Sequence, residues 1–335
     1  MARPQAIYFL SPSHFDNVYG PEERAAVEAQ VQVVDRLTAR RFAARGKDAG
    51  ARETWPKVEV ILASWGLARV DEAFLARFPK LKMICYGAGS IRGFATPAMW
   101  RRGIRVTSAS AANAIPVSEF ALSQILYGLK QGWRHARSTR EGKWARHGCA
   151  GAYRSTVGLL SLGMIGRMTA ERLRTFDVRL VAYDPFVSPK AARALGVELA
   201  PLDEVFARAD VVSCHTPHLP ETVGLLKKSH FAAMKEGATF LNTGRGAVVD
   251  EAGLISVLRR RPDLTAVLDV TFPEPPPARS PLYTLPNVVL TPHIAGSLGP
   301  ECRRMGQTMA DELRRYLAGK PLHYEIDEKK AAIMA

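Results

Sequence analysis

Three side chains that together suit the reduction of a carbonyl group follow predicted strands in the second half of the chain. Arg245 lies in "FLNTGRGAVVDE", Glu274 follows Asp269 in "AVLDVTFPEP", and His293 lies in "VVLTPHIAGS". A guanidinium can bind a carboxylate and a neighbouring carbonyl oxygen together, and a histidine can protonate that oxygen when a hydride reaches the carbon. A carboxylate on the other ring nitrogen would orient the histidine. Taken singly, each residue is more typical of a surface or a loop, so the prediction of a shared site depends on their common position at strand ends.

A glycine-rich turn earlier in the chain predicts a site for the hydride carrier. The run "TVGLLSLGMIG" ends in Ser161-x-Gly163-x-x-Gly166, a dinucleotide fingerprint with serine in place of its first glycine, and the helical pattern "RMTAERLRTF" follows. The first glycine of a fingerprint serves the tight turn, so Ser161 is expected either to adopt a compatible conformation or to shift the loop slightly, with strain if its dihedral angles are unfavourable. Met164 offers no polar contact to a pyrophosphate. We predict a working cofactor site made of Ser161, Gly163, Met164, Ile165 and Gly166.

An acidic residue supports the choice of cofactor. The next predicted strand, "VRLVAYD", ends in Asp184, close to the spacing of about 20 residues at which an acid binds the adenosine ribose. A carboxylate there accepts hydrogen bonds from the ribose hydroxyls and repels a 2′-phosphate. The sequence therefore favours NAD over NADP.

The elements that must position these residues alternate between strands and helices, which is typical of parallel sheets. Strand-like runs in the first half are "AIYFL", "VQVV", "VEVILAS", "LKMICY" and "IRVTSA", and those in the second half are "TVGLLSL", "VRLVAYD", "DVVSCHT", "ATFLNTG", "TAVLDV" and "NVVLTP". We predict an α/β fold whose second half is a doubly wound parallel sheet. A long helix is expected to start near Val117, with Pro116 as its start signal. The proline-rich Phe272–Pro286 is predicted to be a loop, and "GPECRRMGQTMADELRRYLAG" a helix that packs back on the first domain.

Composition excludes several other classes of protein. The chain has 335 residues, 47% hydrophobic content and no apolar run long enough for a signal peptide or a membrane span, so we expect a cytoplasmic globular protein of two domains. The four scattered cysteines predict neither a metal site nor disulfides. A net charge of +14 raises the question of nucleic acid, but the basic residues form short dispersed clusters, which argues against that partner and suits small anions.

Several of these segments resemble the D-isomer-specific 2-hydroxyacid dehydrogenase family, which includes glyoxylate/hydroxypyruvate reductases, phosphoglycerate dehydrogenases and D-lactate dehydrogenases. "NTGRGAVVDE" resembles the family's arginine motif, "LDVTFPEP" its glutamate motif and "SPLYTLPNVVLTPHIAGS" its histidine motif. The likeness is strong from about Val157 to Ser297 and weaker before. It implies the NAD-dependent interconversion of a small 2-keto acid and its D-2-hydroxy acid.

The resemblance also implies a role for each residue. Arg245 would bind and polarise the substrate, His293 would be the acid/base, and Glu274 would be its carboxylate partner. "YGAGSIRGF" resembles the family's substrate-carboxylate loop, here Ala88, Gly89 and Ser90. The remaining cofactor contacts implied by the resemblance are Thr216 and Pro217 near the adenosine, and Thr243, Asp269 and Gly296 on the nicotinamide side.

The implied architecture is a Rossmann-type cofactor domain, residues 113–297, inserted in a smaller flavodoxin-like α/β substrate domain, residues 1–112 and 298–335. The active site would lie in the cleft between them, and homodimers would form through the cofactor domains. Two alternatives stay open. One is a dinucleotide-sensing binding protein like the family's corepressors, and the other is a dehydrogenase for another small anion such as phosphite. The identity of the 2-hydroxy acid is also open.

Overall fold

The computed structural model describes residues 3–44 and 53–334, which form two compact units. One unit contains the described chain up to Asn113 together with Ser297–Met334, and the other contains Ala114–Gly296. The chain therefore leaves the first unit once and returns to it after Gly296. Each unit has its own parallel sheet.

The first unit has a five-stranded sheet with the order β2-β1-β3-β4-β5. All five predicted strands are present, and all neighbours are parallel. Strands β3 and β4 are buried at every position, as expected for a parallel sheet covered on both faces. The strands are Gln5–Phe9 (β1), Gln32–Leu37 (β2), Val60–Ala63 (β3), Met83–Tyr86 (β4) and Arg105–Ser108 (β5).

The C-terminal segment belongs to this unit. Its long helix, Cys302–Leu317, buries Met305, Met309 and Leu313 against one face of the sheet. Gly306 makes this close approach feasible, because an added Cβ would lie 1.8 Å from the carbonyl oxygen of Val18. The other helices of the unit are Pro12–Val18, Pro21–Glu28, Ala39–Ala43, Glu72–Arg77, Pro97–Arg101 and Glu328–Ile333.

The second unit has a seven-stranded parallel sheet with the order β12-β11-β10-β9-β6-β7-β8. Strand order reverses between β6 and β9, which is the doubly wound topology, so the predicted α/β fold class is confirmed. The sequence missed one strand, Val197–Leu199, because three residues at the sheet edge are too few to give a periodic signal. The strands are Ser155–Leu160 (β6), Val178–Tyr183 (β7), Val197–Leu199 (β8), Val211–Cys214 (β9), Thr239–Asn242 (β10), Thr265–Leu268 (β11) and Val288–Leu290 (β12).

The predicted long helix begins earlier than expected. It begins at Ser110 rather than near Val117 and ends at Leu129, and Pro116 lies inside it. Proline removes one hydrogen bond from a helix, but burial of residues such as Ala121 and Ile125 on the sheet outweighs that loss. A second helix, Gly132–Arg140, starts after Gln131, whose φ of 47° separates the two helices.

The remaining helices of the second unit are Met164–Leu173, Pro189–Ala194, Leu202–Arg208, Lys228–Ala232 and Glu251–Arg260. The proline-rich segment after β11 is a loop with one short 3₁₀ turn, Pro281–Tyr283, as predicted. Within residues 3–44 and 53–334, no helix has the length and apolar character needed to cross a membrane. The four cysteines are free, and three of them are buried.

Candidate active site

The glycine-rich turn joins β6 to the helix Met164–Leu173 and holds its serine in an unusual conformation. Ser161 has a φ of 74°, in the left-handed region that favours glycine. Its Oγ donates to Thr216 Oγ1 over 3.1 Å, and its backbone N–H donates to the carbonyl of Tyr183. The serine therefore adopts the left-handed conformation that a glycine would take there, which is the first of the two alternatives left by the sequence.

The two glycines of the turn differ in what surrounds them. A Cβ on Gly166 would lie 2.1 Å from the carbonyl oxygen of Ser161, so only glycine permits this packing of helix on strand. A Cβ on Gly163 would meet nothing within 4 Å. The open space at Gly163, the exposed Met164 and the half-exposed Ile165 leave the helix N-terminus accessible. These features fit the pyrophosphate of a dinucleotide.

Asp184 lies at the end of β7, and its carboxylate holds the loops around it. One oxygen accepts from the backbone N–H of Leu162 over 2.7 Å, and the other accepts from Phe186 and Val187. A carboxylate has about four acceptor positions, so three backbone donors leave capacity for a ribose hydroxyl. Asp184 therefore connects the fingerprint turn to the loop after β7, and the contact with a ribose predicted for it stays a prediction.

His293 and Glu274 form a pair at the carboxyl edge of the same sheet. His293 Nδ1 lies 2.7 Å from Glu274 Oε1, and both side chains are nearly half exposed. With Nδ1 donating to the carboxylate, Nε2 is the nitrogen left to exchange a proton with a reacting group. This is the arrangement needed for a histidine acid/base oriented by an acid.

Asp269 holds the loop that carries His293. It is 1% exposed, and its carboxylate accepts from the Thr291 hydroxyl and from the backbone N–H groups of Ile294 and Ala295. Its carbonyl accepts from the N–H of His293, whose φ is 55°. Three hydrogen bonds on one buried carboxylate fix the loop. The contact with a nicotinamide carboxamide predicted for Asp269 stays a prediction.

Arg245 follows β10 in a loop fixed by Asn242, whose side chain donates to the Arg245 carbonyl and accepts from the N–H of Gly244. The guanidinium donates to the Gly244 carbonyl over 2.7 Å. Glycines flank Arg245 on both sides, and each lies against the backbone of another segment. A Cβ on Gly244 would lie 2.9 Å from the Thr216 carbonyl oxygen, and one on Gly246 2.0 Å from the Thr271 carbonyl carbon. Both glycines serve the packing of neighbouring strand-end loops.

A cavity of ≈ 610 Å³ lies beside the His293–Glu274 pair in the second unit. Its remaining walls are largely apolar and come from the proline-rich loop, the short 3₁₀ turn and β12. They include Pro275, Pro276, Leu282, Tyr283, Val288 and Leu290. Within the described chain, no group of three or more His, Cys, Asp or Glu is arranged to hold a metal ion.

The predicted carboxylate loop, residues 88–90, belongs to the first unit and follows β4. The Ser108 hydroxyl contacts the carbonyls of Ala88 (3.1 Å) and Gly89 (2.5 Å). The N–H of Ala88 donates to the Tyr86 carbonyl, so it is already engaged within the turn. The side-chain nitrogen of Asn113 lies 3.8 Å from where a Cβ on Gly89 would be, which puts this residue beside the loop. Sequence reasoning missed Asn113.

His215 is the main residue of the second unit that sequence reasoning missed. It directly follows β9 and precedes Thr216 and Pro217, and its ring is enclosed between the side chains of Ser213 and Thr243. Its position offered a signal, since a titratable residue at a strand end belongs among site candidates. Thr216 and Thr243 are buried, whereas Pro217 and Gly296 are half exposed.

One family of known proteins matches this chain. Residues 122–295 match the model of the D-isomer specific 2-hydroxyacid dehydrogenase, NAD binding domain. The chain is 37% identical over 267 residues to a D-3-phosphoglycerate dehydrogenase of Mycobacterium bovis, covering 79% of this chain and 50% of that protein. It is 34% identical over 274 residues to the D-3-phosphoglycerate dehydrogenase of Archaeoglobus fulgidus, covering 81% and 52%. The chain thus spans about half the length of these curated relatives.

Among solved structures, the chain resembles a D-isomer specific 2-hydroxyacid dehydrogenase from Xanthobacter autotrophicus Py2 in complex with NADPH and MES. The TM-score is 0.76 at 27% identity, over 97% of this chain and 99% of that one. The fold and the family model together define the class: the chain belongs to the D-isomer-specific 2-hydroxyacid dehydrogenase family. Its second unit carries the family's NAD-binding domain.

Proposed function

We propose that this protein catalyses the reversible NAD-dependent reduction of a small 2-keto acid to its D-2-hydroxy acid. The observation that carries the proposal is the His293–Glu274 contact of 2.7 Å, at the sheet edge that also bears the fingerprint turn. An imidazole held by a carboxylate is suited to move a proton at a carbonyl oxygen. Ligands of doubly wound sheets bind at this edge.

The bound cofactor would supply or accept the hydride at the carbonyl carbon. His293, with Nδ1 held by Glu274, gives its Nε2 proton to the carbonyl oxygen during reduction and takes it back in the reverse reaction. The guanidinium of Arg245 binds the same oxygen and the adjacent carboxylate, which stabilises the negative charge that develops on the oxygen. The 88–90 loop is proposed to hold the substrate carboxylate through the N–H groups of Gly89 and Ser90.

We propose NAD rather than NADP because Asp184 would repel a 2′-phosphate. The relative from Xanthobacter autotrophicus Py2 was solved with NADPH, so the preference has to be measured on this chain. Homodimers through the cofactor domains and a cytoplasmic location stay predictions.

The test is an assay of NADH and NADPH oxidation with glyoxylate, hydroxypyruvate, pyruvate, phenylpyruvate and 3-phosphohydroxypyruvate. Turnover of at least one keto acid with NADH is expected, and the best substrate identifies the 2-hydroxy acid. NADH binding without turnover of any keto acid would contradict the proposal. It would favour a dinucleotide-sensing binding protein or, if phosphite is oxidised, a dehydrogenase for that anion.

The roles in the mechanism have their own test. His293→Ala is expected to lower kcat by about 10²–10⁴-fold, the usual contribution of a general acid/base. Glu274→Gln should also lower kcat, and its affinity for NADH should stay that of the parent. His323→Ala, at an exposed histidine of the first unit, is the matched control and should leave kcat unchanged. Near-parental turnover in His293→Ala would show that another group moves the proton.

A further inference from the structure

His215 is a buried histidine at the carboxyl edge of the cofactor sheet that the mechanism above does not use. Its ring lies 3.0 Å from Ser213 Oγ through Nε2 and 3.3 Å from Thr243 Oγ1 through Nδ1. Only 7% of the residue is exposed. Cys214 of β9 pairs with Asn242 of β10, so the residues that follow each strand, His215 and Thr243, are lateral neighbours. The imidazole therefore joins two strand ends.

The protonation state of the ring determines what it can do. Burial lowers the pKa of His215 to about 4, so the ring is neutral near pH 7. A neutral imidazole has one nitrogen that donates a hydrogen bond and one that accepts. Of its two hydroxyl partners, one therefore donates and the other accepts. When Nδ1 accepts, the Thr243 O–H points at the ring, and when Nδ1–H donates, the Thr243 oxygen accepts and its own O–H is left to donate elsewhere. In either tautomer, the ring holds the position of the Thr243 oxygen.

The topology of the sheet indicates which part of a dinucleotide Thr243 would meet. The fingerprint turn follows β6, where the pyrophosphate binds, and Asp184 on β7 marks the adenosine side. The opposite side of β6 carries β9 and β10, so the nicotinamide half extends over the ends of these strands. Thr243, directly after β10, lies on that side.

We propose that His215 is a positioning residue for the nicotinamide half of the cofactor, acting by holding the Thr243 hydroxyl. This inference rests on the proposed function, because it takes the dinucleotide to bind across β6. The competing explanation is a histidine that only stabilises the sheet edge. That explanation is reasonable, because a Cβ on Gly166 would lie 3.8 Å from the ring, which puts His215 beside the fingerprint helix as well.

Two conservative variants separate these explanations. The side-chain amide of asparagine reaches roughly the place of Nδ1, so His215→Asn retains the contact with Thr243. The longer glutamine reaches the place of Nε2, so His215→Gln retains the contact with Ser213 instead. Both variants stay polar and satisfy one of the two hydroxyls, and they form a matched pair. Thr243→Val removes the hydroxyl itself.

The readout is the Kd of NADH and of ADP-ribose, which lacks the nicotinamide, measured by calorimetry. His215→Gln and Thr243→Val are expected to weaken NADH binding by about five- to tenfold, the loss of one neutral hydrogen bond. His215→Asn is expected to stay within about twofold of the parent, and ADP-ribose should bind all four proteins alike. Equal effects of the two His215 variants, no effect of either, or a parallel loss of ADP-ribose affinity would overturn the proposal. A parent that binds neither ligand would instead refute the cofactor site itself.

Discussion

Ser161 and His293 both lie in the left-handed region of backbone conformation, with φ values of 74° and 55°. Such conformations are uncommon outside glycine and cluster at functional sites, where the surrounding hydrogen bonds hold them. Ser161 is held by hydrogen bonds to Tyr183 and Thr216. His293 is held by hydrogen bonds from its backbone N–H to the carbonyls of Asp269 and Thr291. The chain therefore holds strained residues in both the cofactor turn and the proposed acid/base loop.

The strain at Ser161 leads to the first prediction at the scale of single residues. Ser161→Gly removes a left-handed strain of about 1–2 kcal/mol and loses a hydroxyl contact of about 0.5–1.5 kcal/mol. In the free energy of unfolding, the two effects nearly cancel. Because glycine adopts the same turn without strain, Ser161→Gly should bind NADH at least as tightly as the parent. Ser161→Ala loses the contact and keeps the strain, so it should be the less stable of the two variants. Fluorescence titration with NADH and thermal unfolding measure both quantities, and markedly weaker binding in Ser161→Gly would mean that the hydroxyl itself supports the cofactor.

At the scale of elements, the connection between β6 and its helix shows why two glycines in one motif are not equivalent. Gly166 permits the helix to pack on the strand, whereas Gly163 faces open space with a φ of −68°, which any residue can adopt. A side chain at Gly166 therefore disturbs the fold, and one at Gly163 disturbs only what binds there.

This difference gives a paired prediction. Gly163→Ala should unfold at the temperature of the parent but bind NADH at least about tenfold more weakly, because the new methyl group occupies the space of the pyrophosphate. Gly166→Ala should be less stable by about 1–3 kcal/mol, the range for overpacking. Thermal unfolding and NADH titration of both variants are the measurements. Parental NADH affinity in Gly163→Ala would mean that the pyrophosphate does not approach this turn.

Element ends were the least predictable part of the fold. Pro116 is a start signal in sequence, yet the helix begins six residues earlier because its apolar face is buried. The glycines beside Arg245 each lie against the backbone of a loop from another strand, a contact that the local sequence does not reveal. These outcomes depend on neighbours distant in sequence, which local patterns do not encode.

At the scale of the whole molecule, the C-terminal segment returns to the edge of the first sheet. The N–H of Ser108 donates to the Tyr324 carbonyl, and the N–H of Ile326 donates to the Val106 carbonyl. Beside this short pairing, Arg105 forms a two-pronged ion pair with Glu325, at 2.6 Å and 2.8 Å. Two stretches more than 200 residues apart in sequence are joined there.

The ion pair makes this junction sensitive to pH. Hydrogen bonds from Arg105 lower the pKa of Glu325. The stabilisation is therefore fully present above the pKa of an unfolded glutamate and is lost as the pH falls through the lower folded value. Because both side chains are more than a third exposed, Glu325→Gln should lower the free energy of unfolding by only about 0.5–1 kcal/mol near pH 7.

Urea unfolding at about pH 7 and about pH 4 measures this difference, which should shrink at the lower pH. Glu72→Gln is the control, since Glu72 makes a more exposed single contact with Arg101, and it should change stability by no more than a few tenths of a kcal/mol. If the difference in the free energy of unfolding between the parent and Glu325→Gln were the same at both pH values, ionisation of the Glu325 carboxylate would not be the cause of that difference.

The amino-acid sequence was enough to predict the strand and helix alternation, the α/β fold class, the NAD-binding family and the candidate residues at strand ends. These features are encoded locally, in apolar runs, glycine spacing and short motifs. The three-dimensional structure was needed to show that Glu274 lies 2.7 Å from His293, that Asp269 holds the loop that carries His293, and that His215 contacts Thr243. Each of these contacts joins the ends of different strands, and their distances depend on register and packing across the sheet. Ser161 of the fingerprint turn needed both kinds of information: the sequence revealed its position, and the structure revealed its left-handed conformation.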